Sequence, residues 1–243
     1  MQTITSITPR DELVASGLYT YYLNERPAGV TEAWSVHRSP GGSYCARVER
    51  DARAAFGVTI LLEVESQAPF APESVRRFVV WQYNEQNIAT QDARAEYVFD
   101  AQSVTVARAI NGHALAEERI TLPSGTVISP LMRVFLGPVI LRVWRQGGGQ
   151  PVPVLTPSLE KTLDPQTLLR PSLDQRQARF LGEEELSLTD RVCRARRFQY
   201  LSRHYDASSQ FWLDERGVLL RYLFPQSPTQ RWDTQLTVYQ RFD

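Results

Sequence analysis

The chain has 243 residues and a mass of 27.7 kDa, is 42% hydrophobic and 22% charged, and sets 27 basic residues against 27 acidic ones. That balance argues against a dedicated nucleic-acid or polybasic membrane protein, and no apolar run reaches the roughly 18 residues that a spanning helix needs. A chain of this length buries roughly 70–75% of its unfolded surface, so its core requires neither disulfide nor metal.

Period-two alternation dominates the chain. In Ala28–Arg38 the residues Val30, Trp34 and Val36 share one face with Glu32 among them, and in Ser43–Asp51 Tyr44, Ala46 and Val48 alternate with Cys45, Arg47 and Glu49. Gly57–Glu65 sets Val58, Ile60, Leu62 and Val64 against Thr59, Leu61, Glu63 and Glu65; further strands follow at Val75–Asn84, Ala93–Asp100, Val104–Ile110 and Ala114–Leu122. Arg26-Pro27-Ala28-Gly29, Pro40-Gly41-Gly42 and Asn111-Gly112 read as turns, the last a type I′ hairpin because both residues tolerate positive φ. Ser129 and Pro130 open a short helix over Pro130–Leu136 that Gly137-Pro138 stops. Val139–Arg145 reads as a strand that Gly147-Gly148-Gly149 joins to Pro151–Leu155. The Pro-rich stretch Thr156–Asp174 reads as a loop, and Gln175–Leu181 as a second short helix. Strands at Gln210–Leu213 and Val218–Phe224 flank the turn Asp214–Gly217, and Trp232–Phe242 places Trp232, Leu236, Val238 and Phe242 on one side.

About a dozen strands with mostly local connections define an all-β, mainly antiparallel fold. Without helices to cover it, so large a meander sheet must curl or close into a half-barrel or barrel, with one or two short helices beside it. The reading is one β domain over residues 1–243, with 1–155 and 175–243 as candidate halves joined by the loop 156–174.

Lys161 is the only lysine, so arginine supplies nearly all the positive charge. Codon bias accounts for that, although arginine forks also bind carboxylates and phosphates bidentately. The stretch Arg191–Asp206 carries Arg191, Arg194, Arg196, Arg197 and Arg203. On a strand, Arg194 and Arg196 share a face with Phe198 and Tyr200, an arrangement suited to an amphipathic ligand with an anionic head; the plainer reading is a solvated strand paired with Glu183, Glu184 and Glu185. Trp34, Trp212 and Tyr222 are the aromatics expected against the body of such a ligand, and core packing is the competing role for each. His204, Tyr205, Asp206 and Asp214 are the donors and acceptors available if the fold is instead a lipocalin-like enzyme doing acid–base isomerisation, cyclisation or hydration. His37 and His113 adjoin turns and read as surface residues. Cys45 and Cys193 lack C-x-x-C partners, and no ligand spacing suggests a metal or another cofactor.

The runs Gly17-Leu18-Tyr19-Thr20-Tyr21-Tyr22-Leu23, Tyr97-Val98-Phe99-Asp100 and Leu122-Pro123-Ser124-Gly125, with Phe211-Trp212-Leu213-Asp214 near the end, resemble bacterial domains of unknown function. Those domains are related in fold to envelope lipoprotein carriers and to half-barrel proteins assigned to glycolipid binding. The resemblance implies a curved antiparallel sheet around a short helix at Pro130–Leu136, with an apolar concave side that holds a lipid chain; it carries over no catalytic residue. Such carriers are exported, whereas Met1–Thr8 has no basic n-region, so the expected setting is cytoplasmic. The leading expectation is a binding module for an amphipathic or lipid-like small molecule, without nucleic acid or integral membrane partners and with a homodimer open. An acid–base enzyme stands second and a structural, partner-binding protein third.

Overall fold

The computed structural model describes residues 7–86, 89–159, 164, 166–188, 191–202, 205 and 207–242. Their strands form one 16-stranded sheet, almost entirely antiparallel. The amino-terminal strands are β1 (Glu12–Leu23), β2 (Arg26–Arg38), β3 (Tyr44–Ala52), β4 (Val58–Ser66), β5 (Val75–Gln86), β6 (Ala89–Phe99) and β7 (Ser103–Ile110), each paired with the next. The short strands β8 (His113–Ala114) and β9 (Glu118–Thr121) both pair with β7. Next come β10 (Val127–Ile128), β11 (Val152–Pro157), β12 (Pro171–Ser187), β13 (Val192–Leu201), β14 (Gln210–Leu213), β15 (Leu219–Ser227) and β16 (Gln230–Arg241). β16 pairs with β1, so the last strand joins the two runs into one sheet. A one-turn helix α1 (Arg53–Phe56) links β3 to β4, and the long helix α2 (Arg133–Gly147) separates β10 from β11.

Alternation sets the faces. In β2 the residues Val30, Glu32, Trp34 and Val36 are buried and their neighbours are not. The Asn111-Gly112 turn forms as expected, with φ of 49° and 78°. The reversal before β2 is made instead by Asn24-Glu25, at φ 49° and 67°, while Arg26–Gly29 lies within β2. There Tyr21 pairs with Val30 and Tyr22 with Pro27, so Pro-Ala-Gly marks a β-bulge rather than a turn, the other place where a positive-φ glycine belongs. A second bulge corrects the reading of the last strand. Val238 faces Leu18 while Leu236 faces Tyr19, so the intervening Thr237 flips the alternation: Leu236 is buried and Val238 exposed.

The helical readings need larger correction. α2 runs through Gly137-Pro138 to Gly147, so Val139–Arg145 is helix and not strand. Gly and Pro disfavour a helix interior by about 1 and 3 kcal/mol. Seven buried apolar side chains, among them Phe135, Ile140 and Val143, offset that cost. Gly137 is also required where it stands, because a Cβ there would lie 2.2 Å from the Gly217 carbonyl oxygen. Gln175–Leu181, read as helix, lies inside β12, and the Pro-rich loop is shorter than expected because β12 begins at Pro171.

Among the described residues the sheet does not close by backbone pairing. Its edges are β10 on one side and β8 on the other, with β9 also on β7, and the turn 166–169 packs against β6, β7 and β9. The Tyr97 hydroxyl donates to the Leu169 carbonyl (2.5 Å), Arg108 to the Leu168 carbonyl (3.0 Å), and Arg170 to Glu118 (3.0 Å). Leu168 and Leu169 are fully buried there, covering apolar surface that an open edge would expose. Inside, α2 and the inner faces of the strands make one continuous core.

Candidate functional site

α2 presents Val134, Pro138, Leu141, Arg142 and Arg145 along one face, the i, i+4, i+7, i+8, i+11 spacing of a helical stripe. This stripe lines a groove of about 310 Å3 between α2, the chain after β4, the β14–β15 turn and the end of β16. Its floor is apolar, with Phe70, Pro72 and Val218 opposite Val134 and Leu141. Its rim is basic, with Arg142, Arg145, Arg216 and Arg241 around one acidic residue, Glu73. The guanidinium groups of Arg142, Arg145 and Arg216 bond to no other described residue. At about 1.5 Å rise per residue, the stripe from Val134 to Arg145 is roughly 16 Å long.

Both predicted ligand arginines lie beside this groove. Arg194 and Arg196 border an adjoining opening of about 610 Å3 that shares Arg216 and Tyr239 with the groove. Arg194 is exposed and paired with Glu183. Arg196 donates to the carbonyls of Asp214 (2.7 Å) and Glu215 (2.9 Å), tying down the β14–β15 turn. Trp34 sits one layer beneath the groove. Its ring packs on Gly17, where a Cβ would come within 2.5 Å of it, and meets Phe70 and Tyr239 at 5.7 and 6.0 Å. The buried Trp34 Nε1 has no hydrogen-bond partner among the described residues.

Of the other predicted residues, Asp214 borders the same opening as Arg194 and Arg196, and Trp212, Tyr222 and Tyr205 lie elsewhere. Trp212 donates to Glu184 (2.6 Å) and lies under Arg221, within a network that includes Arg197. Tyr222 stacks on Phe211 at 4.9 Å, with the Arg133 guanidinium 4.8 Å from its ring centre. Tyr205 packs against both Phe211 and Tyr222, and its hydroxyl accepts a hydrogen bond from Arg133 (3.3 Å). Asp214 accepts the amides of Arg216 (3.0 Å) and Val218 (2.7 Å) in its own turn, and burial still holds its carboxyl above the usual range. Tyr205 and Asp214 therefore border different cavities. His204 and Asp206 lie outside the described residues. His37 bonds Ser35 Oγ, and burial lowers its pKa; His113 is exposed.

Reading Val139–Arg145 as a strand hid Arg142 and Arg145, whose three-residue spacing beside Leu141 places them together only on a helix. Arg216 lies within the turn Asp214–Gly217, and nothing in the sequence there sets it apart from an ordinary turn residue. Glu32, noted for its place beside Trp34, turns out fully buried. Its Oε2 accepts Tyr21 (2.9 Å) and both Nε and an Nη of Arg50 (2.9 and 2.7 Å).

No family model matches the chain, and no curated protein does. Among solved structures, the chain is similar to a β-barrel-like protein of a domain of unknown function, DUF1849, from Brucella abortus. The two share 7% identity with a TM-score of 0.52, over 96% of this chain and 99% of the other. At that identity the likeness is one of fold: a β-barrel-like antiparallel sheet. No helix among the described residues is long and apolar enough to cross a membrane.

Proposed function

We propose that the protein is a binding module for an amphipathic, lipid-like anion, which lies in the groove along α2. The body of the ligand rests on Val134, Leu141, Val218 and Phe70, and its anionic group meets Arg142, Arg145 and Arg216. The observation that carries this reading is the rim itself: three guanidinium groups without a bonded described partner surround an apolar floor. Pockets for small molecules combine apolar walls with a few convergent polar groups in this way. Arginine stems lie over apolar surface while their heads reach an oxyanion. The groove's modest volume suits a single acyl-like chain rather than a multi-chain lipid. The test is calorimetric titration of dodecanoate into the full chain and into an Arg142→Gln/Arg145→Gln/Arg216→Gln variant. Binding that weakens about tenfold or more in the variant supports the reading, each exposed charge contributing of order 0.5–1 kcal/mol. Equal binding by both proteins, or by neither, contradicts it.

A further inference from the structure

A second cavity, of about 350 Å3, opens at the start of α2 and is bordered by Arg50, Arg133, Arg176 and Tyr205. Three arginines around one partly enclosed space are costly unless each charge is matched, because the low-dielectric interior strengthens their repulsion. Arg50 is matched: its Nε and one Nη both reach Glu32. Arg176 is not fully matched. It is only 6% exposed and gives one Nη to the Tyr200 hydroxyl at 3.1 Å. Its Nε lies 3.5 Å from Asp174 Oδ2, yet neither of those buried atoms has a hydrogen-bond partner among the described residues. Arg133 is matched least. Its guanidinium lies 5.8 and 4.8 Å from the ring centres of Tyr21 and Tyr222, and one Nη reaches the Tyr205 hydroxyl. Its Nε too is buried without a hydrogen-bond partner among the described residues. Glu32, the carboxylate nearest in the chain of contacts, spends Oε1 on the Arg133 backbone amide rather than on its side chain. The cavity is thus bordered by two guanidinium groups on two different elements, α2 and β12, neither fully hydrogen-bonded among the described residues, in a space large enough for a small group.

We propose that this cavity is an oxyanion site, in which a carboxylate or phosphate group is held by the Arg133 and Arg176 guanidinium groups beside the Tyr205 hydroxyl. An oxyanion accepts several charge-assisted bonds at once, which the planar forks of two arginines can supply. The site is separate from the α2 groove and stands whether or not that groove binds an amphiphile.

The test titrates inorganic phosphate and, separately, acetate into the full chain at constant ionic strength in chloride, with binding read by calorimetry. At least one anion binds, and Arg133→Gln and Arg176→Gln each weaken it about tenfold or more, the loss expected for a charge-assisted bond. A response to phosphate alone identifies a phosphate-type group, and a response to acetate alone a carboxylate; either supports the site. The Arg142→Gln/Arg145→Gln/Arg216→Gln variant keeps the affinity. Should the neutral variants fail to fold, Arg176→Lys retains the charge without the planar fork and still weakens binding. The proposal is overturned if neither anion binds, if affinity survives within about twofold in the folded Arg133 and Arg176 variants, or if it disappears with the groove arginines instead.

Discussion

The Glu32 carboxylate caps α2 from another part of the chain, its Oε1 accepting the Arg133 amide at 2.5 Å across 101 residues of sequence. Met132, the residue preceding the helix, makes no side-chain cap of its own. The orphan amide at the start of a helix must find an acceptor, and here a β2 residue supplies it. The same carboxylate binds Tyr21 and Arg50, so one buried anion ties β1, β2, β3 and α2 together.

Replacing Glu32 should therefore be severe. Glu32→Gln leaves Arg50 as a buried cation with no carboxylate, and removing one partner of a buried pair costs about 3–5 kcal/mol. Urea unfolding followed by far-UV dichroism measures this. A loss below about 1 kcal/mol would show that Glu32 does not fasten α2.

Gly137→Ala tests the contact that lets α2 pass the β14–β15 turn. The added Cβ would sit 2.2 Å from the Gly217 carbonyl and 2.9 Å from the Leu219 nitrogen, both backbone atoms that cannot swing aside. Overpacking of this kind costs about 1–3 kcal/mol. Gly41→Ala is the matched control: its nearest neighbour would be Ser39 Oγ at 3.8 Å. Thermal unfolding should lower the midpoint of the first variant and leave the second near wild type.

Tyr205 and Tyr222 should titrate apart. Burial alone would raise the Tyr205 pKa, but Arg133, through its charge and hydrogen bond, and Arg176 bring it below the ordinary value of 10.0. Tyr222 goes up, chiefly through burial and the neighbouring Tyr205. An acid whose pKa falls on folding is ionised in the folded chain while the unfolded chain still holds its proton. Stability from Tyr205 therefore rises as pH climbs through its folded pKa, is complete above 10, and is lost again as pH falls back through the folded value. Absorbance at the tyrosinate band should begin below pH 10 in the wild type, and that first step should be missing in Tyr205→Phe. An unchanged titration curve in the variant would refute the assignment.

Much of the architecture was legible because alternation is local. The buried series Val30, Glu32, Trp34, Val36 and the Asn111-Gly112 turn can be read residue by residue. What escaped depends on distant partners. Gly137-Pro138 looks like a stop signal until Gly217 is known to approach it, and Gln175–Leu181 looks helical until β11 and β13 pair with it on either side. The sites suffered most from the same error. Arg142 and Arg145 line a groove only once their segment is a helix, and Arg133 and Arg176 meet only through the docking of α2 against β12. Arg194 and Arg196 were visible as a cluster, but that a turn's carbonyls would occupy Arg196 was not.

The groove along α2 is the centre of the account, and photo-crosslinking tests it most directly. A dodecanoate carrying a terminal diazirine is irradiated with the full chain, and the labelled peptides are mapped by mass spectrometry. The account predicts adducts within Pro69–Glu73 and Val134–Arg145, competed away by unlabelled dodecanoate and reduced in the Arg142→Gln/Arg145→Gln/Arg216→Gln variant. Labelling scattered over the outer strands, or indifferent to the competitor, would contradict it.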